Sequence, residues 1–256
     1  MIGPLIGMVH LGPLPGAPRF SGDLDGVLAA AVADARALAD AGFDALLVEN
    51  YGDAPFFADD VPKATVAALA RAVAEVRRVV SVPVGVNALR NDALAALAVA
   101  AATGAAFIRV NILSGWMSTD QGIISGKAAE VARLRAALAT PALVLADVFV
   151  KHSVPPAGLT LERAAADTWK RAGADGLIVT GSGTGQPVAF DELERVRAAA
   201  PGAPLFAGSG VDPATVAEVL RRADGAIVGT ALKHGGVTTN AVDPARARAL
   251  VAAARG

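Results

Sequence analysis

The chain contains no cysteine. Disulfides, thiolate nucleophiles and Cys-ligated zinc are therefore excluded. Aromatic residues make up only 4% of 256 positions, whereas 54% are hydrophobic. A core built from this chain must be filled mainly by Ala, Val, Leu and Ile, the aliphatic packing of parallel strands covered by helices on both faces. An excess of charge of either sign is also lacking: 23 Lys and Arg against 24 Asp and Glu leave a net charge of −1. That balance gives no general pull toward nucleic acid or anionic lipid, and no nucleic-acid partner is expected. Long apolar runs are missing too. The longest uncharged Ala-rich stretch, Ala93 to Ile108, is too short to span a bilayer and is interrupted by Gly104. The first basic side chain is Arg19, so the start of the chain lacks the basic region of a secretory signal. A cytoplasmic protein without a transmembrane segment is expected, with peripheral membrane association and homo-oligomerisation left open.

What the sequence does contain is repetition. Short β-branched runs at Leu5–His10, Ala45–Glu49, Val82–Asn87, Phe107–Asn111, Ala142–Asp147, Gly176–Thr180, Leu205–Ala207 and Ala226–Gly229 read as strands. Between them, amphipathic Ala/Leu/Arg stretches predict helices near 24–41, 64–80, 92–103, 126–139, 160–172, 188–200, 213–222 and 243–254. Strands alternating with helices of this length imply βαβ units and a parallel sheet. Eight units over residues 1–256, without a linker or a shift in composition, point to one α/β domain closed as a (β/α)₈ TIM barrel. An open doubly wound sheet is the competing architecture, weakened because no GxGxxG motif follows the first strand. Gly42, Gly104 and Gly173 sit where helix C-termini need a left-handed residue. Asp92, Thr160 and Asp212 sit where N-caps are wanted.

Alternation within each strand separates residues facing the barrel from those facing the helices. It turns His10, Glu49, Asn87, Arg109, Asn111 and Asp147 inward at the C-terminal ends of five strands. Active sites of (β/α)₈ enzymes lie at that end. Arg109, once buried, must be neutralised by Glu49, Asp147 or both. Asp147 also opens the loop that carries Lys151 and His152. A desolvated Lys beside carboxylates serves as general acid/base or Schiff-base nucleophile, and a solvated one does neither. Asp147 and Lys151 are thus the expected acid/base core, Glu49 a second carboxylate, His10 a further candidate, and Asn87 and Asn111 orienting groups. The three histidines form no HxH or HExxH pattern. A divalent site from His10, Glu49 and Asp147 stays open without support from spacing, and no metal or other cofactor is predicted.

The last three strands run into glycine, at Gly181–Gly185, Gly208-Ser209-Gly210 and Gly229-Thr230. Glycine lets backbone approach a ligand, and free N–H groups at helix N-termini bind anions. In many barrels of this type the loops after the seventh and eighth strands hold phosphate. Gly181, Gly183, Gly208, Ser209, Gly210, Gly229 and Thr230 are therefore the expected phosphate cradle. No Gly-Lys-Ser/Thr follows the first of these runs, so a P-loop is not indicated.

Several blocks resemble the BtpA family. They are Met8-Val9-His10-Leu11 with Pro13-Leu14-Pro15-Gly16, Val48-Glu49-Asn50-Tyr51-Gly52-Asp53-Ala54-Pro55-Phe56, and Gly85-Val86-Asn87 with Leu89-Arg90-Asn91-Asp92. Thr119-Asp120-Gln121-Gly122-Ile123-Ile124, Asp147 with Val150-Lys151-His152, Gly208-Ser209-Gly210-Val211 and Ile227-Val228-Gly229-Thr230 continue the likeness. Phe149 departs from it, where a His is expected. The resemblance implies a ribulose-phosphate-binding type of barrel and a link to photosystem I biogenesis, and it implies no particular reaction. Two kinds of function follow. One is an isomerase, epimerase or lyase acting on a phosphorylated sugar or similar small metabolite. The other is a non-catalytic factor for assembly of a membrane complex, or a phosphometabolite sensor. Five buried polar strand ends favour the enzyme.

Overall fold

The computed structural model describes residues 2–181 and 183–256; Ser182, within the glycine run after the sixth predicted strand, lies outside the described residues. The strands are β1 (Leu5–His10), β2 (Ala45–Glu49), β3 (Val84–Asn87), β4 (Phe107–Val110), β5 (Trp116–Thr119), β6 (Gly122–Ser125), β7 (Leu143–Asp147), β8 (Ser153–Val154), β9 (Gly176–Val179), β10 (Leu205–Ala207) and β11 (Gly225–Val228). The helices are α1 (Leu24–Ala41), α2 (Lys63–Val79), α3 (Ala93–Thr103), α4 (Ala128–Ala137), α5 (Leu161–Lys170), α6 (Phe190–Ala199), α7 (Val216–Leu220) and α8 (Pro244–Arg255). Eight parallel strands close a barrel in the order β1-β11-β10-β9-β7-β4-β3-β2. This is the TIM-barrel fold that the alternating pattern predicts.

Two apolar layers follow from strand alternation. Leu46, Val48, Val86, Ile108, Val110, Val144 and Leu177 face the helices and join the large outer core. Ile6, Met8, Leu47, Phe107, Leu145, Ile178, Phe206 and Ile227 fill the barrel. Large and small residues alternate around that interior. Gly85 pairs in register with Phe107, and a Cβ on Gly85 would lie 2.3 Å from the Phe107 ring. Gly225 makes the same room for Phe206. A salt bridge ties the ends of the chain together. Lys233, fully buried just after β11, places Nζ 2.7 Å from Asp34 Oδ2 on α1, and Asp34 Oδ1 accepts the Val242 N–H at 2.7 Å.

Caps behave as their chemistry requires. The Asp92 and Thr160 side chains accept the N–H of Ala95 and Arg163, and Gly42 and Gly104 end α1 and α3 in the left-handed region. The helix predicted from 213 starts at Val216 instead. Asp212 Oδ1 accepts the N–H groups of Ala214 and Thr215 and so closes a separate turn ahead of α7.

A second difference is larger. The loops after β4 and β7 carry a three-stranded antiparallel sheet, ordered β6-β5-β8, which the barrel pattern does not predict. Its strands are only two to four residues long, too short for alternation to stand out. Met117 and Ile124 face inward, onto Ile112 and Val150 beside the barrel mouth.

Gly85→Ala should cost about 1–3 kcal/mol, the usual range for forcing an extra methyl into a packed core. Adding Phe107→Leu should recover part of that loss, and a double-mutant cycle by urea denaturation measures the coupling.

Candidate functional site

Each inward strand row changes from apolar to polar at its C-terminal end. Ile6-Met8 ends in His10, Ala45-Leu47 in Glu49, Gly85 in Asn87, Phe107 in Arg109 and Asn111, and Leu143-Leu145 in Asp147. The outcome is a buried polar ring above the apolar plug. Arg109 and Asp147 form a bidentate pair, Nε to Oδ2 at 3.2 Å and Nη2 to Oδ1 at 3.0 Å. Asn111 Nδ2 donates to the same carboxylate at 2.8 Å. Glu49 takes other partners: Asn87 Nδ2 donates to its Oε2 at 2.7 Å, and His10 Nε2 lies 3.8 Å from its Oε1. Of the two candidate partners for Arg109, Asp147 is the one bonded to it.

Above this ring opens a cavity of about 810 Å³. His10, Glu49, Arg109, Asn111 and Lys151 line it, with Gly208, Ser209, Gly210, Gly229 and Thr230 on another side. Asp147 has a fully buried side chain and sits beneath Arg109 and Asn111 rather than on the cavity wall. Asn87 is likewise buried behind Glu49. Gly181 is also set back. Its N–H donates to Ser209 Oγ at 2.7 Å, and Ser209 in turn donates to the Gln186 carbonyl at 3.0 Å. Gly183 accepts the Gln186 N–H in the same loop. These contacts lock the loop after β9 against that after β10. Gly210, at φ 65°, is held so tightly that a Cβ would meet the Gln186–Pro187 backbone at 2.2 Å.

Electrostatics differ sharply among the candidates. Burial, with the charges of Lys233 and Lys151, brings the His10 imidazole down to about 3, so it is neutral at pH 7. Its 3.8 Å approach to Glu49 is therefore not an ion pair. Burial and the neighbouring Arg109 charge bring the Lys151 ammonium down to about 8, against the opposing pull of Glu49 and Asp147. Three buried side-chain atoms have no partner among the described residues, Gln121 Oε1 and, in the polar ring, His10 Nδ1 and Asn111 Oδ1. His10 and Asn111 both line the cavity. The trio His10, Glu49 and Asp147 forms no metal cluster, because Asp147 spends its oxygens on Arg109 and Asn111.

Other residues complete the site. Arg19, Arg90 and Arg246 also line the cavity, and the Tyr51 ring lies 4.8 Å from that of His10. Thr180 ends the inward row of β9, accepts the Lys151 N–H at 3.0 Å and donates to the Phe149 carbonyl at 3.2 Å. Its inward parity was available in the sequence. The basic side chains of the loops had no such signal.

The mouth loops are fastened to one another by side-chain amides and carboxylates. Asn50 Oδ1 accepts the Leu89 N–H at 2.7 Å, and Asp53 Oδ1 accepts that of Leu14 at 2.8 Å. Asn91 exchanges two hydrogen bonds with Ile112, and Asp92 accepts the Val61 N–H. These are the polar residues of the distinctive sequence blocks. A model of the BtpA family matches residues 1–256. The chain belongs to the BtpA family.

Among relatives, the photosystem I biogenesis protein BtpA of Synechocystis is 45% identical, over 98% of this chain and 87% of its own. An uncharacterized protein of Thermococcus kodakarensis is 49% identical, over 98% and 95%. Among solved structures, tryptophan synthase from M. tuberculosis matches with a TM-score of 0.64 at 21% identity, covering 98% of this chain and 92% of that one. Thiamine phosphate pyrophosphorylase from Pyrococcus furiosus matches at 0.60 and 13% identity, covering 98% and 95%. At these identities the structural likeness shows a shared TIM-barrel fold. No helix among the described residues of this BtpA-family barrel is long and apolar enough to cross a membrane.

Removing one partner of a buried ion pair costs about 3–5 kcal/mol. Asp147→Leu strands a guanidinium that cannot lose its proton, whereas Arg109→Met leaves a carboxylate able to gain one. Arg109→Met should therefore melt at the higher temperature of the two. The reverse order would contradict this account of the pair.

Proposed function

We propose that this BtpA-family protein is an enzyme acting on a phosphorylated sugar or similar small metabolite, by isomerisation, epimerisation or lyase chemistry. One observation carries the proposal: a single cavity is lined on one side by glycine backbone and on the other by Lys151, Glu49 and Arg109. Phosphate sits against Gly208, Gly210 and Gly229-Thr230, where barrels of this type commonly hold it. Gly181, Gly183 and Ser209 shape that cradle through their mutual contacts. The name of the thiamine phosphate pyrophosphorylase neighbour, which includes a phosphorylated compound, accords with this choice of ligand.

All three reaction types have routes that begin with proton transfer beside a carbonyl or hydroxyl group. A Lys with its pKa near 8 supplies both amine and ammonium at neutral pH, and so both accepts and donates. Glu49, oriented by Asn87, is the carboxylate that faces the reacting atoms. Arg109 presents positive charge to an oxygen that becomes negative in the transition state. Asp147 acts through Arg109 and Asn111 by fixing their geometry. Neutral His10 and Asn111 line the same cavity and orient the substrate as uncharged polar groups.

A second reading, an assembly factor of the kind the cyanobacterial relative's name describes, draws on the small sheet. Its outer face exposes Trp116, Ile123 and Val154 beside the mouth. That reading leaves the depressed Lys151 and the unpaired polar atoms of His10 and Asn111 without a role.

With a substrate found by screening phosphosugars, kcat/KM should rise with pH through about 8 if Lys151 is the base. The sign is fixed because the neutral amine is the proton acceptor. Lys151→Met should remove that limb and lower turnover by about 10²–10⁴-fold. Undiminished turnover in the variant would take Lys151 out of the chemistry.

A further inference from the structure

Two of the buried cations have a carboxylate partner within salt-bridge distance: Arg109 has Asp147 and Lys233 has Asp34. Arg90 does not. It is 5% exposed and lines the cavity, yet its Nη2 donates only to the Lys151 carbonyl, at 2.6 Å. A guanidinium carries five N–H donors, and a backbone carbonyl supplies no charge to balance it. Burial is the main influence on Arg90 and weakens its hold on the proton; Asp147 and Glu49 oppose that from a distance, and Arg109 adds to it. The exposed Asp120 adds a weaker pull of the same sign as those two carboxylates, without a salt bridge to Arg90 among the described residues. Among the described residues no carboxylate forms a salt bridge with Arg90, and a buried charge is retained at a cost unless something pairs with it.

Its place in the barrel indicates what does. Around the closed ring, β3 and β10 are four strands apart in either direction and so face each other across the mouth. Arg90 follows β3 and Gly210 follows β10. The phosphate held at Gly210 and Gly229-Thr230 therefore leaves Arg90 facing the opposite end of the same ligand. We propose that Arg90 binds a second anionic group of the substrate, a carboxylate or another phosphoryl group at the end remote from the first phosphate. Guanidinium matches either anion in bidentate geometry. This deepens the function proposed above and rests on its phosphate cradle. The substrate is then a two-ended anion, and a neutral sugar phosphate is a poor ligand.

Calorimetric titration at pH 7 with matched probes tests this. 6-Phosphogluconate against glucose 6-phosphate adds a carboxylate, and fructose 1,6-bisphosphate against fructose 6-phosphate adds a phosphoryl group. In the unmodified protein at least one two-ended probe should bind ten-fold or more tightly than its one-ended partner. Arg90→Met should erase that preference and leave the affinity for inorganic phosphate within about two-fold. Arg90→Lys keeps the charge without the bidentate fork and should retain part of it. Equal affinities within both pairs in the unmodified protein would overturn the proposal, even if Arg90→Met does not fold. So would a preference that survives Arg90→Met, or a collapse of inorganic phosphate binding in that variant, which would put the single phosphate at Arg90. If inorganic phosphate fails to bind while the two-ended preference holds, the glycine cradle fails and the assignment of Arg90 stands.

Discussion

The Arg109–Asp147 pair is the interaction on which the mouth of this barrel depends. A guanidinium and a carboxylate are both removed from water at the end of neighbouring strands β4 and β7. Taking such ions out of solvent is costly, so each fixes the position of the other. Asn111 is fixed by the same carboxylate, which leaves its own carbonyl oxygen buried without a partner among the described residues. Burial of Lys151, with the charge of Arg109 acting upward on it, brings its ammonium into the range where proton transfer is useful. One buried pair thus sets the floor of the cavity, the orientation of Asn111 and part of the field on its amine.

Stability and function draw apart around that floor. Below it, large and small side chains interlock, as Phe107 does with Gly85. Above it, among the described residues, polar atoms are left unsatisfied and Arg90 is left without a salt bridge. Native proteins hold few such groups, and those they keep mark functional sites or places completed by a ligand, an ion or ordered water. The loops that carry them are fastened by Asn50, Asp53, Asn91 and Asp92, so the defects are held in place rather than relaxed away.

Most of the fold was legible because short strand-forming runs alternate with amphipathic helical stretches eight times along the chain. Ile6-Met8-His10 and Ala45-Leu47-Glu49 announce their inward faces without any knowledge of neighbours. The identities of the partners were not legible. Whether Arg109 would meet Glu49 or Asp147 depends on strand order and side-chain reach, and the sequence equally allowed both. Asp147 looked like a wall residue because parity reports direction and not depth. Arg90 was visible only as part of a motif, since nothing local says that a loop arginine will be buried without a carboxylate. The β6-β5-β8 sheet escaped for a different reason: its strands are too short for alternation to register, and β8 is distant in sequence from the hairpin it joins.

The central claim is that the cavity is an anion site built from backbone on one side and buried cations on the other. A crystal structure of the protein grown with inorganic phosphate tests it most directly. The account predicts tetrahedral density within hydrogen-bonding distance of the backbone of Gly210 and Gly229-Thr230. Phosphate bound only at surface lysines or arginines, with those loops empty at saturating concentration, would contradict it.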